Sequence, residues 1–157
     1  MIQRIQTVYM FLTVILCSST LFSKIGTYLC GTTEIASFGN FNFHSATVEN
    51  SGPWALGVLL ILVVLINLMS IMLFRYLLRQ LRLLIFSTIL LVGYVATYAA
   101  YVYIYLSQVS ANLTDGDVRY HLPFMAILPL LGIIFNVMAI HGVRKDEALL
   151  RSAYRLR

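Results

Sequence analysis

Two long apolar runs joined by a short arginine-rich segment constrain this chain more than any other feature. The runs Trp54–Phe74 and Leu83–Leu106 contain no charged residue. Each is longer than the ~20 residues that an α-helix needs to cross the hydrocarbon layer of a bilayer. The link between them, residues 75–82, is so short that the second run must fold back beside the first. We therefore predict a transmembrane helical hairpin.

The composition extends this prediction to the whole chain. Hydrophobic residues make up 60% of the 157 residues and charged residues only 11%, against about 25% charged residues in soluble domains. The mean hydropathy is +0.85. This length has room for four spans and no separate soluble domain. We predict one membrane domain, residues 1–157, with an all-α bundle of four transmembrane helices at about 5–23, 53–75, 82–106 and 122–143.

The formal net charge of +5 reflects topology more than a nucleic-acid partner. Only Lys24 and Arg119 fall on one predicted side of the membrane, and the other basic residues fall on the opposite side. Cytoplasmic loops of membrane proteins collect Lys and Arg in this way. We therefore predict that both termini are cytoplasmic and that nucleic acid is not a partner. The cytoplasmic set is Arg4, Arg75, Arg79, Arg82, Arg144, Lys145, Arg151, Arg155 and Arg157.

The loop 24–52 between the first two spans has the composition of a small β element. Gly39 and Asn40 form a turn-permissive pair, with Phe38 on one side and Phe41 and Phe43 on the other. Two strands alone are marginally stable in water, so these phenylalanines should face the bundle or the lipid. We predict an extracytoplasmic β-hairpin or meander over the outer ends of the helices.

The arginine segment and the tail are the candidate contact surface. Arg75, Arg79 and Arg82 follow helical spacing, share one face and repel one another, so they need anionic partners. Those partners are lipid head groups, acidic side chains or another subunit. The tail 144–157 has the pattern of an amphipathic helix lying on the cytoplasmic face, and we hypothesise that its acids reach the arginines. The candidate contacts are Arg75, Arg79, Arg82, Arg144, Lys145, Asp146, Glu147, Arg151 and Arg155.

The third span carries a stripe of four tyrosines at i, i+4, i+7 and i+11. One interpretation makes the stripe a wall for a quinone, a lipid or another hydrophobic ligand. The other places its outer rings in the aromatic belt of the bilayer and bonds its inner rings to other helices. The stripe consists of Tyr94, Tyr98, Tyr101 and Tyr105.

Buried amides and a proline mark the second and fourth spans. Asn67 and Asn136 should face other helices and form interhelical hydrogen bonds, and they could bond to each other. Pro129 lies inside the predicted fourth span, where it should kink the helix.

The sequence lacks several patterns that carry catalysis. The apolar runs contain no acidic or basic residue away from their ends, and intramembrane charges usually mark coupled transporters. There is no Cys-x-x-Cys, no His-Glu-x-x-His and no phosphate-binding glycine loop. We expect neither an enzyme nor a cofactor, a metal or a small-molecule substrate.

The two ends of the chain resemble a family of small integral membrane proteins from Bacteroidota, the domain of unknown function 4293. The resemblance rests on MIQRIQTVY at residues 1–9 and on RKDE, LRS and RLR at 144–147, 150–152 and 155–157. It implies a multi-pass protein of the bacterial inner membrane and brings no activity with it.

The expected function is that of a non-catalytic accessory or scaffold subunit of a larger inner-membrane assembly. Its partners would be membrane lipids and other subunits. Two alternatives remain open: a binder of a hydrophobic molecule along the third span, and an adaptor whose cytoplasmic tail contacts ribosomes or nucleic acid.

Overall fold

Four long helices pack side by side in the computed structural model. The structure describes residues 2–30, 33–45, 52–73, 76–112 and 118–155. The helices are α1 Ile2–Leu21, α2 Trp54–Met72, α3 Leu77–Asn112 and α4 Leu128–Arg155, the last preceded by a 3₁₀ turn, Phe124–Ile127. Each helix packs mainly against two others, α1 on α2 and α4, and α3 on the same two. The four helices therefore form a closed ring of neighbours.

Among the described residues, three helical segments are long and apolar enough to cross a membrane. They are Trp54–Met72, Leu77–Ala111 and Phe124–Leu149. The apolar part of α1, Ile5–Leu21, is shorter than these. The chain is therefore a membrane protein.

A four-stranded antiparallel sheet lies at one end of the bundle. Its strands are β1 Lys24–Cys30, β2 Thr33–Gly39, β3 Phe43–Ser45 and β4 Val118–His121, in the order β3-β2-β1-β4. The predicted β element between the first two spans is confirmed as β1, β2 and β3. Strand β4 was not predicted: the second outer loop returns to pair with β1, where Thr27 lies opposite His121. We call this end of the bundle, where Leu21, Trp54 and Phe124 lie, the sheet end.

Aromatic packing holds the sheet against α3. Phe38 is buried, and its ring centroid lies 5.5 Å from that of Tyr105. Phe43 also stacks on Tyr105, with 4.3 Å between the ring centroids. The phenylalanines therefore turn toward the helices, as predicted. Phe41 packs beside Gly57 of α2, where an added Cβ would lie 2.2 Å from its ring and would displace it.

The ends of α3 and α4 differ from the predicted spans. Helix α3 has 36 residues, a length of about 54 Å at 1.5 Å per residue, and extends beyond 82–106 at both ends. Helix α4 runs without a break through 144–155, so the tail is not a separate helix lying on the membrane. Pro129 is in the first turn of α4, where the missing N–H leaves no helical bond unmade, so it does not kink the helix interior.

The turn between α2 and α3 is short. Helix α2 ends at Met72, and the Tyr76 amide donates a hydrogen bond to the Leu73 carbonyl at 2.9 Å. Arg79 and Arg82 lie at the start of α3, as the predicted continuation of the helix requires. Arg75 lies outside the described residues.

Candidate functional site

Exposed basic side chains collect where α3 begins and α4 ends, and we call this the basic end. Arg79 and Arg82 are exposed on the first turns of α3, and Arg144 and Lys145 are exposed on the neighbouring helix α4. The Arg79 guanidinium carbon lies 4.0 Å above the centroid of the Tyr76 ring, a cation–π contact that orients this side chain. The side chains of Arg151 and Arg155 are outside the described part of the structure.

Asp146 points into the bundle and joins α4 to α1. Its Oδ2 accepts a hydrogen bond of 2.6 Å from Gln6 Nε2, and the aspartate is only 8% exposed. Gly142, one turn earlier on α4, provides the space, because an added Cβ would lie 2.7 Å from Gln6 Cγ. Among the described residues the partner of Asp146 is therefore Gln6, and neither Arg79 nor Arg82 pairs with it. The third arginine of the hypothesis, Arg75, lies outside the described residues, so pairing with it stays a prediction. Glu147 is half-buried on the same turn.

A second buried contact lies one level further into the bundle. The thioether of Met10 on α1 lies 3.5 Å from Gln80 Nε2 on α3 and 3.9 Å from Ser70 Oγ on α2. All three side chains are buried. Polar groups near the basic end thus link α1 to each of the other helices.

The predicted amides meet through a serine in the middle of the bundle. Asn67 on α2 and Asn136 on α4 each donate a hydrogen bond to Ser87 Oγ on α3, at 2.6 and 3.0 Å. Asn67 Nδ2 also donates to the Val63 carbonyl at 2.9 Å. The two amides therefore share a partner and do not bond directly. Ser87 was not singled out from the sequence, where it is an ordinary small residue of an apolar run.

At the sheet end, Asn40 ties a strand turn to two helices. Its Nδ2 donates to the Thr20 carbonyl in the last turn of α1 at 2.7 Å, and its Oδ1 accepts from the Tyr94 hydroxyl at 3.0 Å. Asn40 and Tyr94 are both buried. This amide satisfies a helix terminus and fixes the β2–β3 turn on α3.

The rest of the tyrosine stripe supports the sheet. Tyr98 donates to the Ile25 carbonyl of β1 at 2.7 Å and also bonds the Tyr120 hydroxyl of β4. Tyr101 is half-buried and stacks on Tyr105 at 5.7 Å. Tyr94 and Tyr105 are 2% and 3% exposed, so these two rings are already covered by protein. The inner tyrosines bond to the sheet and its turn, whereas the sequence suggested other helices.

Strand β1 contributes a further buried tyrosine, Tyr28. Tyr28 of β1 donates a hydrogen bond to the Val102 carbonyl of α3 at 3.0 Å. Burial is the main cause that raises the pKa of Tyr28 above its ordinary value, and nearby Tyr120 adds to the effect. Burial likewise raises the pKa of Tyr120. In the part of the chain that the structure describes, no group of three His, Cys, Asp or Glu residues is placed to hold a metal ion.

The fold and these contacts define a helical membrane protein with a small sheet fixed to one end of its bundle. Within that class, the chain belongs to the family described as Domain of unknown function (DUF4293), which matches residues 2–156. The resemblance carried by the two ends of the sequence is therefore confirmed. None of the curated proteins compared with the chain matches it.

Proposed function

We propose that this protein is a non-catalytic accessory or scaffold subunit of a larger bacterial inner-membrane assembly that serves envelope biogenesis or protein export. The observation that carries the proposal is the contrast between the polar groups inside the bundle and those exposed at the basic end. In the bundle interior the amide nitrogens of Gln6, Asn67 and Asn136 donate hydrogen bonds to other helices, while the described part of the basic end exposes four cationic side chains. Such a surface suits anionic lipid and the acidic groups of a partner subunit.

We also propose that α1 is a fourth span. Its 20 residues reach about 30 Å, the thickness of the hydrocarbon layer. Side chains on its outward face, including Val8, Phe11 and Ile15, are apolar and exposed, as they are on the other helices. At the sheet end, Phe22 follows α1 and is exposed, as is Trp54 at the start of α2. Aromatic residues favour this level of a bilayer.

The two ends of the bundle fit the two surfaces of one bilayer. Along α3, Arg79 and Tyr98 are separated by about 28 Å of helix, and α2 is about 28 Å long. These lengths are close to the hydrocarbon thickness of about 30 Å. We place the basic end in the cytoplasm because cytoplasmic segments collect Arg and Lys. The sheet and the last turns of α3 would then lie outside the membrane.

Labelling of single cysteines tests the orientation. In a chain with Cys17 and Cys30 replaced by serine, a membrane-impermeant maleimide should modify Lys24→Cys in intact cells. The same reagent should modify Lys145→Cys only after permeabilisation. Labelling of Lys145→Cys in intact cells would overturn the proposed orientation.

Purification with matched charge reversals tests the subunit proposal. The full chain, cross-linked in membranes of its native host and extracted in mild detergent, should carry a stoichiometric partner protein. The double variant Arg79→Glu/Arg82→Glu should lose this partner. Arg119→Glu, a reversal of an exposed arginine at the sheet end, should retain it. Repeated recovery of the wild-type chain without any partner would refute the proposal.

The two other interpretations gain less from the structure. A hydrophobic ligand along the tyrosine stripe would have to displace protein contacts, since Tyr94 and Tyr105 are buried and phenylalanines of the sheet pack on Tyr105. An adaptor role for the tail has no specific observation in its favour, because α4 simply continues through Arg155. Both stay predictions from the sequence.

A further inference from the structure

We propose that one water molecule binds at the centre of the helix bundle, between the side-chain oxygens of Asn67 and Asn136. Both residues are fully buried. The Oδ1 atom of each has no hydrogen-bond partner among the described residues. A buried acceptor without a donor is rare in folded proteins, because water must be given up with nothing in return. Asn67 lies on α2 and Asn136 on α4, and both reach Ser87 of the α3 helix between them. Two such atoms around one serine indicate a site for a shared donor.

The protons of Asn67, Asn136 and Ser87 are too few to give both amide oxygens a hydrogen bond. Ser87 Oγ accepts a hydrogen bond from each of the two amides. Its hydroxyl carries one proton, so it can serve at most one of the two carboxamide oxygens. The other oxygen remains without a donor in every rotamer of the serine.

Rotation of a carboxamide group does not give every buried atom a hydrogen-bond partner. If the Asn67 carboxamide turned by half a revolution, its oxygen would face Ser87, but the bond to the Val63 carbonyl at 2.9 Å would be lost. The nitrogen would then become the unpaired group. Rotation of Asn136 would occupy the single serine proton and leave the Asn67 oxygen as before. Each arrangement exchanges one unpaired atom for another.

Water matches what the site lacks. One water molecule has two donors, one for each oxygen, and its own oxygen can accept the Ser87 proton. That makes about three hydrogen bonds, the usual number for a buried water. A bare cation fits less well, because Na⁺ or Ca²⁺ would require several more oxygen ligands than these two. The site therefore takes a small neutral molecule with two donors.

Water-edited solid-state NMR of the full chain in liposomes tests this proposal. With ¹⁵N-labelled asparagine, magnetisation passes from water protons to nearby side-chain nitrogens at a rate that depends on their distance from water. The chain provides both controls. Asn42 is exposed, while Asn40 is buried and has protein partners for both its nitrogen and its oxygen. Spectra of Asn67→Ser and Asn136→Ser assign the two central signals.

The expected result is that Asn67 and Asn136 gain signal from water nearly as fast as Asn42, and several-fold faster than Asn40. Build-up as slow as that of Asn40 at both positions would overturn the proposal. Slow build-up together with signals that shift when Na⁺ replaces choline would also overturn it, in favour of a cation. The rates are measured on the wild-type protein, and the two serine variants serve only to assign its signals. The result does not depend on the partner proposal.

Discussion

Gly142→Ala should destabilise the contact between α1 and α4, although alanine is the better helix former. The new Cβ would lie 2.7 Å from Gln6 Cγ, well inside the ~3.5–4.0 Å of a normal carbon–carbon contact. Cγ is only one bond beyond Cβ, so the Gln6 side chain can escape only by changing its χ1 rotamer. That change carries Nε2 away from Asp146 and breaks the 2.6 Å hydrogen bond.

The magnitude follows from two opposing effects. A hydrogen bond to a charged group contributes about 1.5–3 kcal/mol. Replacing a glycine by alanine within a helix stabilises by about 0.5–1 kcal/mol. The free energy of unfolding should therefore fall by about 0.5–2.5 kcal/mol in Gly142→Ala, because the lost hydrogen bond outweighs the gain in helix propensity.

Gly93→Ala is the matched control because Gly93 also lies within a helix, and a Cβ there would meet no atom within 4 Å. The propensity gain is common to both variants, so their difference in unfolding free energy isolates the lost contact, about 1.5–3 kcal/mol. Reversible unfolding in mixed detergent micelles, followed by the helical circular dichroism, measures this difference. Equal stability of the two variants would refute the packing argument.

Two further predictions concern the sheet end. Asn40→Ala should lower the free energy of unfolding by about 2–4 kcal/mol, because it leaves the Thr20 carbonyl and a tyrosine hydroxyl unpaired in the interior. Asn42→Ala, at an exposed position of the same turn, should change it by less than about 0.5 kcal/mol in the same micelle assay. The sheet should also lose stability in alkali, because burial raises the pKa of Tyr28. The contribution of neutral Tyr28 to stability is complete below the ordinary tyrosine pKa of about 10, and it declines as the pH rises above that value. Near-ultraviolet circular dichroism across this range should show a smaller loss in Tyr28→Phe, and an equal loss would contradict the assignment to this residue.

The sequence predicted those features that depend on residues close together in the chain. The apolar runs, the turn at Gly39 and Asn40, and the inward phenylalanines all follow from local composition and spacing. The apolar pattern of α3 could not show where the bilayer ends, because the sheet buries aromatic residues as effectively as lipid does. In the bilayer placement proposed above, the predicted third span would include both a membrane segment and residues that support the sheet.

Features that depend on distant pairing were not predictable from the sequence. Strand β4 has only four residues, too few for its alternation to stand out in a polar loop, and it forms because β1 offers a free edge. Ser87 gains its importance from two amides on other helices. The partner of Asp146 lies 140 residues away in the chain, and Gln6 has no feature that marks it in advance. From charge alone, the arginines at the start of α3 were the expected partners of Asp146.

The continuity of α3 has a mechanical consequence. One rod begins at Arg79 and Arg82, passes the central serine and continues to Tyr98 and Tyr105, which hold the sheet. An α-helix resists twisting and bending over such a length, so a rotation imposed at its first turn reappears at its last. If the two ends lie on opposite sides of the membrane and a partner binds the arginines, as we propose, a rotation that the partner imposes there would reorient the strands on the other side.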